Sequence, residues 1–198
     1  MQSKQFIKKY LDELLAVVDK TNHINLNNLI DRIVRVKSDK GRILFLGVGG
    51  SAANCSHAVN DFRKIAKIEC YTPSDNVSEL TANTNDEGWD MVFLNWLKIN
   101  NLKKKDLIFI FSVGGGNKKY NVSVNLISAI DYAIKEKCDV ACIVGKKDGY
   151  ATKKSKFPIL LPDIKTKTFL TPFAESYQAI IWHLIVTHPK IQKNKTKW

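Results

Sequence analysis

The chain has 198 residues, of which 44% are hydrophobic and 25% are charged. This composition suits one domain with a normal buried core, alone or with a small accessory element. The sequence contains no run of eighteen apolar residues and therefore predicts no membrane span, and its amphipathic start makes a poor signal peptide. Four cysteines without CxxC spacing predict reduced, mostly buried thiols, as in a cytoplasmic protein.

The formal net charge of +12 raises the question of a nucleic-acid partner. The lysines are dispersed, however, with no basic stripe along any predicted helix and no aromatic residues between them for base stacking. This pattern disfavours nucleic acid. It favours a phosphorylated or otherwise anionic small molecule as the ligand.

In chain order, hydrophobic spacing predicts two helices before the first strand, at 3–20 and 25–36. Short apolar runs then alternate with helical patterns. The predicted strands are 42–47, 68–72, 106–112, 139–145 and 157–162, and the later predicted helices are 52–66, a short one within 73–87, 88–100, 122–135 and 172–186. The last strand should lie at a sheet edge because proline interrupts it.

The alternation of strands and helices predicts an α/β fold. We expect a three-layer α-β-α sandwich with a parallel, mostly five-stranded sheet of the flavodoxin/Rossmann-like type. The predicted organisation is two N-terminal helices (1–38), one α/β domain (39–189) and a basic tail (190–198) expected to be disordered. In such sheets, ligands bind beyond the carboxyl ends of the strands.

Two glycine-rich turns follow predicted strands and lead toward helices, so they could cradle an anion between two helix N-termini. The alternative is that the glycines only allow tight turns. Neither turn is a nucleotide-binding motif, because Ala52 replaces a required glycine and no P-loop lysine follows, so no nucleotide cofactor is expected. The candidate cradle residues are Gly49, Gly50, Ser51, Ser112, Gly114, Gly115, Gly116 and Asn117.

His57 and Asp61 are four residues apart and share a predicted helix face, about 6 Å from each other. They form either a local surface hydrogen bond or part of a site, as metal ligands or as an acid/base pair. Glu175 and His183, on the last predicted helix, flank the same proposed site.

Taken in order, these residues resemble the sugar isomerase (SIS) domain family, in particular its phosphoheptose isomerases. That family has a Gly-Gly-Ser turn, a helix with histidine and glutamate four apart, and an Asn-Asp-x-Gly-aromatic stretch. A serine/threonine-rich loop follows, then a late helix with glutamine and histidine eight apart. The matching segments are GGSAANCSH (49–57) with Asp61, NDEGW (85–89), SVGGGN (112–117), and Glu175 with His183, within about residues 40–187.

The resemblance implies a phosphosugar aldose–ketose isomerase, acting on sedoheptulose 7-phosphate or a relative in bacterial heptose or surface-polysaccharide synthesis. It implies an enediol mechanism with Asp61 as base and His183 as acid/base partner. It also implies that Asn85, Asp86 and Glu175 contact the substrate. Family members form tetramers with sites at subunit junctions, which gives the two N-terminal helices a role in packing between subunits.

Some relatives hold zinc at the positions that correspond to His57, Asp61, Glu175 and His183, and two histidines with two carboxylates suit Zn²⁺. Along one continuous helix, however, Glu175 and His183 would lie about 12 Å apart. Joint ligation of one ion therefore requires that the helix begin after Glu175 or that the two residues come from different subunits.

The chain also departs from the family pattern. Val48 replaces a usual asparagine, Asp61 a glutamate and Glu175 a glutamine, and SVGGGN lacks most hydroxyls of the family's phosphate loop. The ligand could thus be another phosphosugar or a sugar that carries a different group. The competing hypothesis is a non-catalytic SIS module that binds a phosphosugar or a protein partner, as one branch of relatives binds a replication initiator.

Overall fold

The computed structural model describes residues 3–196. Its strands are β1 Ile43–Leu46, β2 Cys70–Tyr71, β3 Leu107–Ser112, β4 Asp139–Val144 and β5 Phe157–Leu160. Its helices are α1 Ser3–Asp19, α2 His23–Ser38, α3 Gly50–Asp61, α4 Val77–Glu87, α5 Val92–Ile99, α6 Val124–Lys135, α7 Tyr150–Lys154 and α8 Leu170–Thr187. Among residues 3–196, no helix combines the length and hydrophobicity that a membrane span requires.

The strands form one parallel sheet in the order β2-β1-β3-β4-β5, which confirms the predicted α/β fold class. The predicted edge strand β5 lies at the edge. The strand order reverses between β1 and β3, and such a switch point is where open α/β sheets bind ligands. The turns after these two strands therefore lie together at the carboxyl edge of the sheet.

Helices cover both faces of the sheet, which explains why its strands are nearly continuous apolar runs. Ile43 and Phe45 of β1 pack in a core cluster with α1, α2, α3 and α8. Leu44 and Leu46 point to the opposite face and pack with α5, α6 and α7. The core thus has two halves, and the α3–α8 pair lies on one of them.

Two helical segments differ from the sequence prediction. The helix predicted over 52–66 ends as α3 at Asp61 and continues as a π-helical turn, Phe62–Ala66, which Lys67 terminates in a left-handed conformation (φ 57°). Single π-turns within helices often occur at functional sites. The short helix α7 was missed because five residues are too few to show a helical period.

The C-terminal segment is packed as far as it is described. Ile191 is 1% exposed, and the backbone N–H groups of Lys193 and Asn194 donate to the carbonyl of Ile65 at 2.9 and 3.0 Å. The sequence predicted disorder over 190–198, and residues 197–198 of that range lie outside the described residues.

Candidate active site on helices α3 and α8

Helices α3 and α8 lie side by side and run in the same direction, held by partly or fully buried amide contacts. The Nδ2 of Asn54 donates to the carbonyl of Glu175 and to Oε1 of Gln178, both at 3.0 Å. The Nε2 of Gln178 donates to the hydroxyl of Ser51 at 3.1 Å, and Gln178 is fully buried. These contacts set the register between the two helices and thereby decide which side chains face each other further along them.

One to two helical turns further toward the C-terminal ends of α3 and α8, three polar side chains come together: His57 and Asp61 on α3, and His183 on α8. The Oδ2 of Asp61 lies 3.8 Å from Nε2 of His57 and 4.0 Å from Nε2 of His183. One potential ligand atom from each residue lies within 4.8 Å of the others. The Asp61 side chain is only 15% exposed, whereas those of His57 and His183 are 58% and 48% exposed. The cluster is therefore a carboxylate at the base of an open, two-histidine surface site.

The 3.8 Å separation of His57 and Asp61 exceeds a hydrogen-bond distance, so the simple local hydrogen bond is not what the structure shows. Instead Asp61 faces two histidines from two helices. This arrangement required α8 to be packed against α3, and the i, i+4 spacing of His57 and Asp61 alone did not reveal it.

The ring of His183 is oriented by a backbone contact and an aromatic neighbour. Its Nδ1 lies 2.7 Å from the carbonyl oxygen of Ala179. Since that oxygen only accepts, Nδ1 carries the proton, and a neutral ring presents the lone pair of Nε2 to Asp61. The indole of Trp182 stacks on the His183 ring with centroids 3.5 Å apart, and it meets the His57 ring edge-on at 4.8 Å.

Three residues of the predicted zinc set fit a divalent cation. Ligand atoms of one Zn²⁺ lie about 3–4 Å apart, so atoms within 4.8 Å need only small side-chain rotations. Two imidazoles and a carboxylate are a donor set that zinc accepts, and the contact of His183 with Ala179 supplies the ring orientation that metal-binding histidines usually have.

Glu175 is not part of this cluster. It lies inside the continuous helix α8, which excludes a helix that begins after it. A Cβ atom added to Gly50 would come within 2.6 Å of its carboxylate, so the carboxylate lies against the N-terminus of α3 and depends on a glycine there. The helix dipole favours a negative charge at this position. The first predicted anion cradle thus already holds a carboxylate of its own chain.

The polar side chains predicted to line the cradle also have partners within the chain. Ser51 is 2% exposed and accepts from Gln178. Ser112 is 7% exposed, and its hydroxyl accepts the backbone N–H of Gly115 at 2.9 Å. The oxygen of the Asn117 side chain accepts the N–H of Tyr120 at 3.2 Å. These contacts support a role for all three side chains in shaping the two turns.

Part of the second glycine turn serves local packing. The carbonyls of Gly115 and Gly116 accept the N–H groups of Ala151 and Tyr150, at 2.8 and 2.9 Å, and so satisfy the start of α7. These contacts support the alternative in which the glycines only allow a tight turn, here one that packs against the start of α7. The predicted substrate residues Asn85 and Asp86 lie exposed on the last turn of α4, bonded to each other at 2.8 Å.

The structure draws attention to two residues that sequence reasoning missed, both at the N-terminus of α6. Ser123 caps this helix in a left-handed conformation with φ 50°. Asn125 is fully buried, and among the described residues its Nδ2 has no hydrogen-bond partner. A donor without a partner beside a helix N-terminus suits an anion. The only sequence signal was their place just after the second glycine turn.

The fold is a three-layer α/β module with a parallel five-stranded sheet. The model of the SIS domain family matches residues 5–145, and the chain belongs to this family. The predicted resemblance is therefore confirmed.

Among curated proteins, the chain is similar to the lincomycin biosynthesis protein LmbN of Streptomyces lincolnensis, with 30% identity over 159 residues. That match covers 75% of this chain but only 56% of the relative, so the chain spans little more than half of its length. It is also similar to the phosphoheptose isomerase of Helicobacter pylori, with 24% identity over 168 residues that cover 82% of this chain and 80% of the relative.

Solved structures of phosphoheptose isomerases share the fold. The protein from Francisella tularensis superposes with a TM-score of 0.79 at 14% identity, covering 94% of this chain and 97% of that one. The protein from Neisseria gonorrhoeae gives 0.77 at 19% identity, covering 92% and 94%. These likenesses show the fold, and the family model with the curated relatives makes the chain a phosphoheptose isomerase-like member of the SIS family.

Proposed function

We propose that this protein is a phosphosugar aldose–ketose isomerase that acts on sedoheptulose 7-phosphate or a close relative. The observation that carries the proposal is the convergence of Asp61, His57 and His183 on one exposed face of α3 and α8. The named relatives are a lincomycin biosynthesis protein and a phosphoheptose isomerase. Bacterial heptose or surface-polysaccharide synthesis in the cytoplasm is the setting that we propose.

Asp61 is the proposed base. In an aldose–ketose isomerisation, a base removes a proton from the carbon beside the carbonyl, and the same base returns it to the former carbonyl carbon through a cis-enediol. A carboxylate suits this task when it is partly withdrawn from water and still reachable, as the 15% exposed side chain of Asp61 is.

His183 is the proposed partner that moves the proton between the two oxygens. The contact of its Nδ1 with Ala179 fixes the ring, so Nε2 is the atom that faces the substrate. A protonated Nε2 donates to the oxyanion as charge develops there, and a neutral Nε2 accepts the hydroxyl proton. Trp182 limits rotation of the ring by stacking on it.

A divalent cation such as Zn²⁺ would be held by His57, Asp61 and His183, and when bound it would polarise the sugar carbonyl as a Lewis acid. His183 serves one role at a time, because a metal takes the same Nε2 lone pair that acid/base chemistry needs. We therefore propose acid/base work for His183 in the metal-free protein. In that case a chelator leaves activity intact.

The site is proposed to be shared between subunits of a homotetramer. Helix α8 presents Ile180 and Leu184 beside His183, with 36% and 41% of their surface exposed. Apolar side chains around a catalytic cluster favour cover by another molecule. A second subunit would also supply substrate contacts that are not part of the cluster in one chain, Glu175, Asn85 and Asp86 among them.

The phosphate of the substrate is proposed to bind at the N-terminus of α6 of a neighbouring subunit, near Ser123 and Asn125, because within one chain α6 covers the sheet face opposite to α3 and α8. The unpaired Nδ2 of Asn125 and the dipole of α6 both favour an anion. The backbone of Gly114, Gly115 and Gly116 lies in the turn that leads to this helix. In this proposal, backbone N–H groups of the turn other than that of Gly115, which donates to Ser112, take the place of the hydroxyl groups in the family's usual phosphate loop.

The test is isomerisation of sugar phosphates of five to seven carbons in deuterated water, with added zinc and with a chelator. Conversion of sedoheptulose 7-phosphate with deuterium incorporated beside the carbonyl is expected, because the enediol exchanges its proton with solvent. Absence of conversion in every case would refute the isomerase. A thermal shift with a sugar phosphate but no conversion would instead support the non-catalytic binding module.

A further inference from the structure

A basic depression of about 640 Å³ lies at the amino edge of the sheet, where the strands begin. Its lining comes from four separate segments: the end of α2, the turn before β3, the first residue of β4 and the residue before β5. The lining residues are Arg32, Arg35, Asp39, Lys103, Lys104, Lys105, Asp139 and Lys156. None of these residues belongs to the proposed isomerase cluster, and the role of the depression does not depend on the proposed function.

The floor of the depression is a built ionic network. Arg32, which is 6% exposed, donates from Nε to Asp139 at 2.7 Å and from Nη2 to the carbonyl of Asp106 at 3.0 Å. Lys156 donates to the other oxygen of Asp139 at 3.3 Å. Burial acts to raise the pKa of Asp139, but the hydrogen bonds from Arg32 and Lys156 outweigh it and lower the pKa. The carboxylate is thus ionised and fully used by its two cations.

The three consecutive lysines lie on a turn with a fixed backbone. The carboxylate of Asp106, which is 0% exposed, accepts the N–H groups of Lys103 and Arg42 at 3.0 and 2.9 Å. The carbonyl of Lys105 packs so closely on Gly41 that a Cβ atom there would lie 2.3 Å from it. The turn therefore holds its lysines at one rim of the depression without a further loss of backbone entropy on binding.

The charges of the depression are not balanced. Six cationic side chains face two carboxylates, an excess of four positive charges. Among residues 3–196, Arg35 and the three lysines have no carboxylate within 4.0 Å. A concave surface lined by one sign of charge concentrates the field and attracts ions of the opposite sign. The patch cannot be recognised in the sequence, because its residues come from segments that are far apart along the chain.

We propose that this depression binds a small molecule with two or more linked phosphate groups. Its volume lies within the range of small-molecule sites, and several cations in one place match an oligophosphate better than a single phosphate. No aromatic residue lines it, so it offers no stacking surface for the bases of a nucleic acid. The phosphate chain itself is the recognised chemistry, whether free or at the end of a nucleotide.

The test is calorimetric titration of the intact protein with pyrophosphate, tripolyphosphate and ATP, at low and physiological salt, with saturating sugar phosphate present. We expect binding that survives the sugar phosphate, because the depression and the proposed isomerase cluster share no side chain. Equal affinity for tripolyphosphate and ATP would show that the phosphate chain is read, and tighter binding of ATP would show that the nucleoside contributes.

The variant K104E/K105E should weaken binding by about tenfold or more, because two charge-assisted contacts are lost and reversed. The matched control K146E/K147E makes the same charge change at two consecutive exposed lysines in the turn after β4, at the other end of the strands, and should change affinity by less than about twofold. Equal losses in both variants, displacement by the sugar phosphate, or no binding at low salt would overturn the proposal. So would preferential binding of a DNA duplex that only K104E/K105E weakens.

Discussion

At the scale of single residues, the candidate site depends on three polar side chains whose surroundings differ. Asp61 is the most enclosed, and its other oxygen accepts the side-chain amide of Asn60 at 2.9 Å. His57 and His183 are open to solvent on the same side. This difference separates their roles, because a base must be withdrawn from water whereas groups that bind the ligand must be reachable.

The substitution Asp61→Asn tests the base. The amide keeps the size and hydrogen bonding of the side chain but removes the basic carboxylate, so turnover should fall by about 10²–10⁴-fold. Melting temperature and affinity for the sugar phosphate should stay close to those of the parent protein. Kinetics, thermal unfolding and calorimetry measure the three quantities. Full activity in this variant would show that the cluster has no part in catalysis.

The substitution His57→Ala tests the cation site, and Trp182 provides the signal. Because its indole stacks on His183 at 3.5 Å, a paramagnetic Co²⁺ ion at the cluster should quench its fluorescence. His57→Ala should lower the affinity for Co²⁺, read from the quenching titration, by about tenfold or more, because one of three ligands is lost. Trp182→Phe, which keeps an aromatic ring, should abolish the signal while the ion still binds by calorimetry. Unchanged quenching in His57→Ala would contradict the site.

At the scale of elements, one carboxylate adds polar contacts to the apolar packing that holds α1 on the domain. Oε1 of Glu13 accepts the N–H groups of Lys165 and Thr166 at 2.6 and 2.8 Å, and Oε2 accepts the Thr166 hydroxyl at 2.8 Å. The N–H of Thr166 is the main cause of the lowered pKa of Glu13, against a smaller effect of burial. These bonds tie the N-terminal helix to the segment that leads into α8.

This attachment should depend on pH. A carboxyl whose pKa is lowered by folding stabilises the fold above its unfolded pKa, and the contribution is lost as pH falls through its folded pKa. Acidification should therefore loosen α1, and Glu13→Gln should do so at neutral pH. Hydrogen exchange of the α1 amides measures the effect, with Glu87→Gln on the exposed end of α4 as the control. Slow exchange in both variants would mean that apolar packing alone holds α1.

At the scale of the whole molecule, the sequence predicted the sheet better than the site. Runs such as 106–112 are apolar enough to be assigned as buried strands from composition alone, and β3 occupies Leu107–Ser112 within that range. The pairing of His57 with His183 depends on the packing of α3 on α8, which the buried contacts of Gln178 set. The helical spacing of Glu175 and His183 indicated that joint ligation needs either a helix that begins after Glu175 or a second subunit, and the continuous helix α8 excludes the first.

Assembly also belongs to this scale, since α1 leaves an apolar stripe uncovered. Ile7, Leu11 and Leu15 are four residues apart, so they lie on one helix face, and they are 54%, 51% and 69% exposed. A face of this kind on a helix tied to the domain by Glu13 is suited to packing between subunits. We expect a homotetramer, or at least a dimer, built on α1 and α2.

The variant L11E/L15E should convert this oligomer into a folded monomer, because four carboxylates at each two-fold contact would be buried without partners. Light scattering at micromolar concentration gives the mass, and circular dichroism shows that the fold is kept. The control V77E/I99E places the same charges on two other exposed apolar residues, 69% and 63% exposed, and should leave the mass unchanged. Isomerase activity should fall with the mass, because we place Glu175 and the α4 residues of one subunit at the cluster of another. A monomer with full activity would confine the whole site to one chain, and an oligomer that persists in L11E/L15E would place the interface elsewhere.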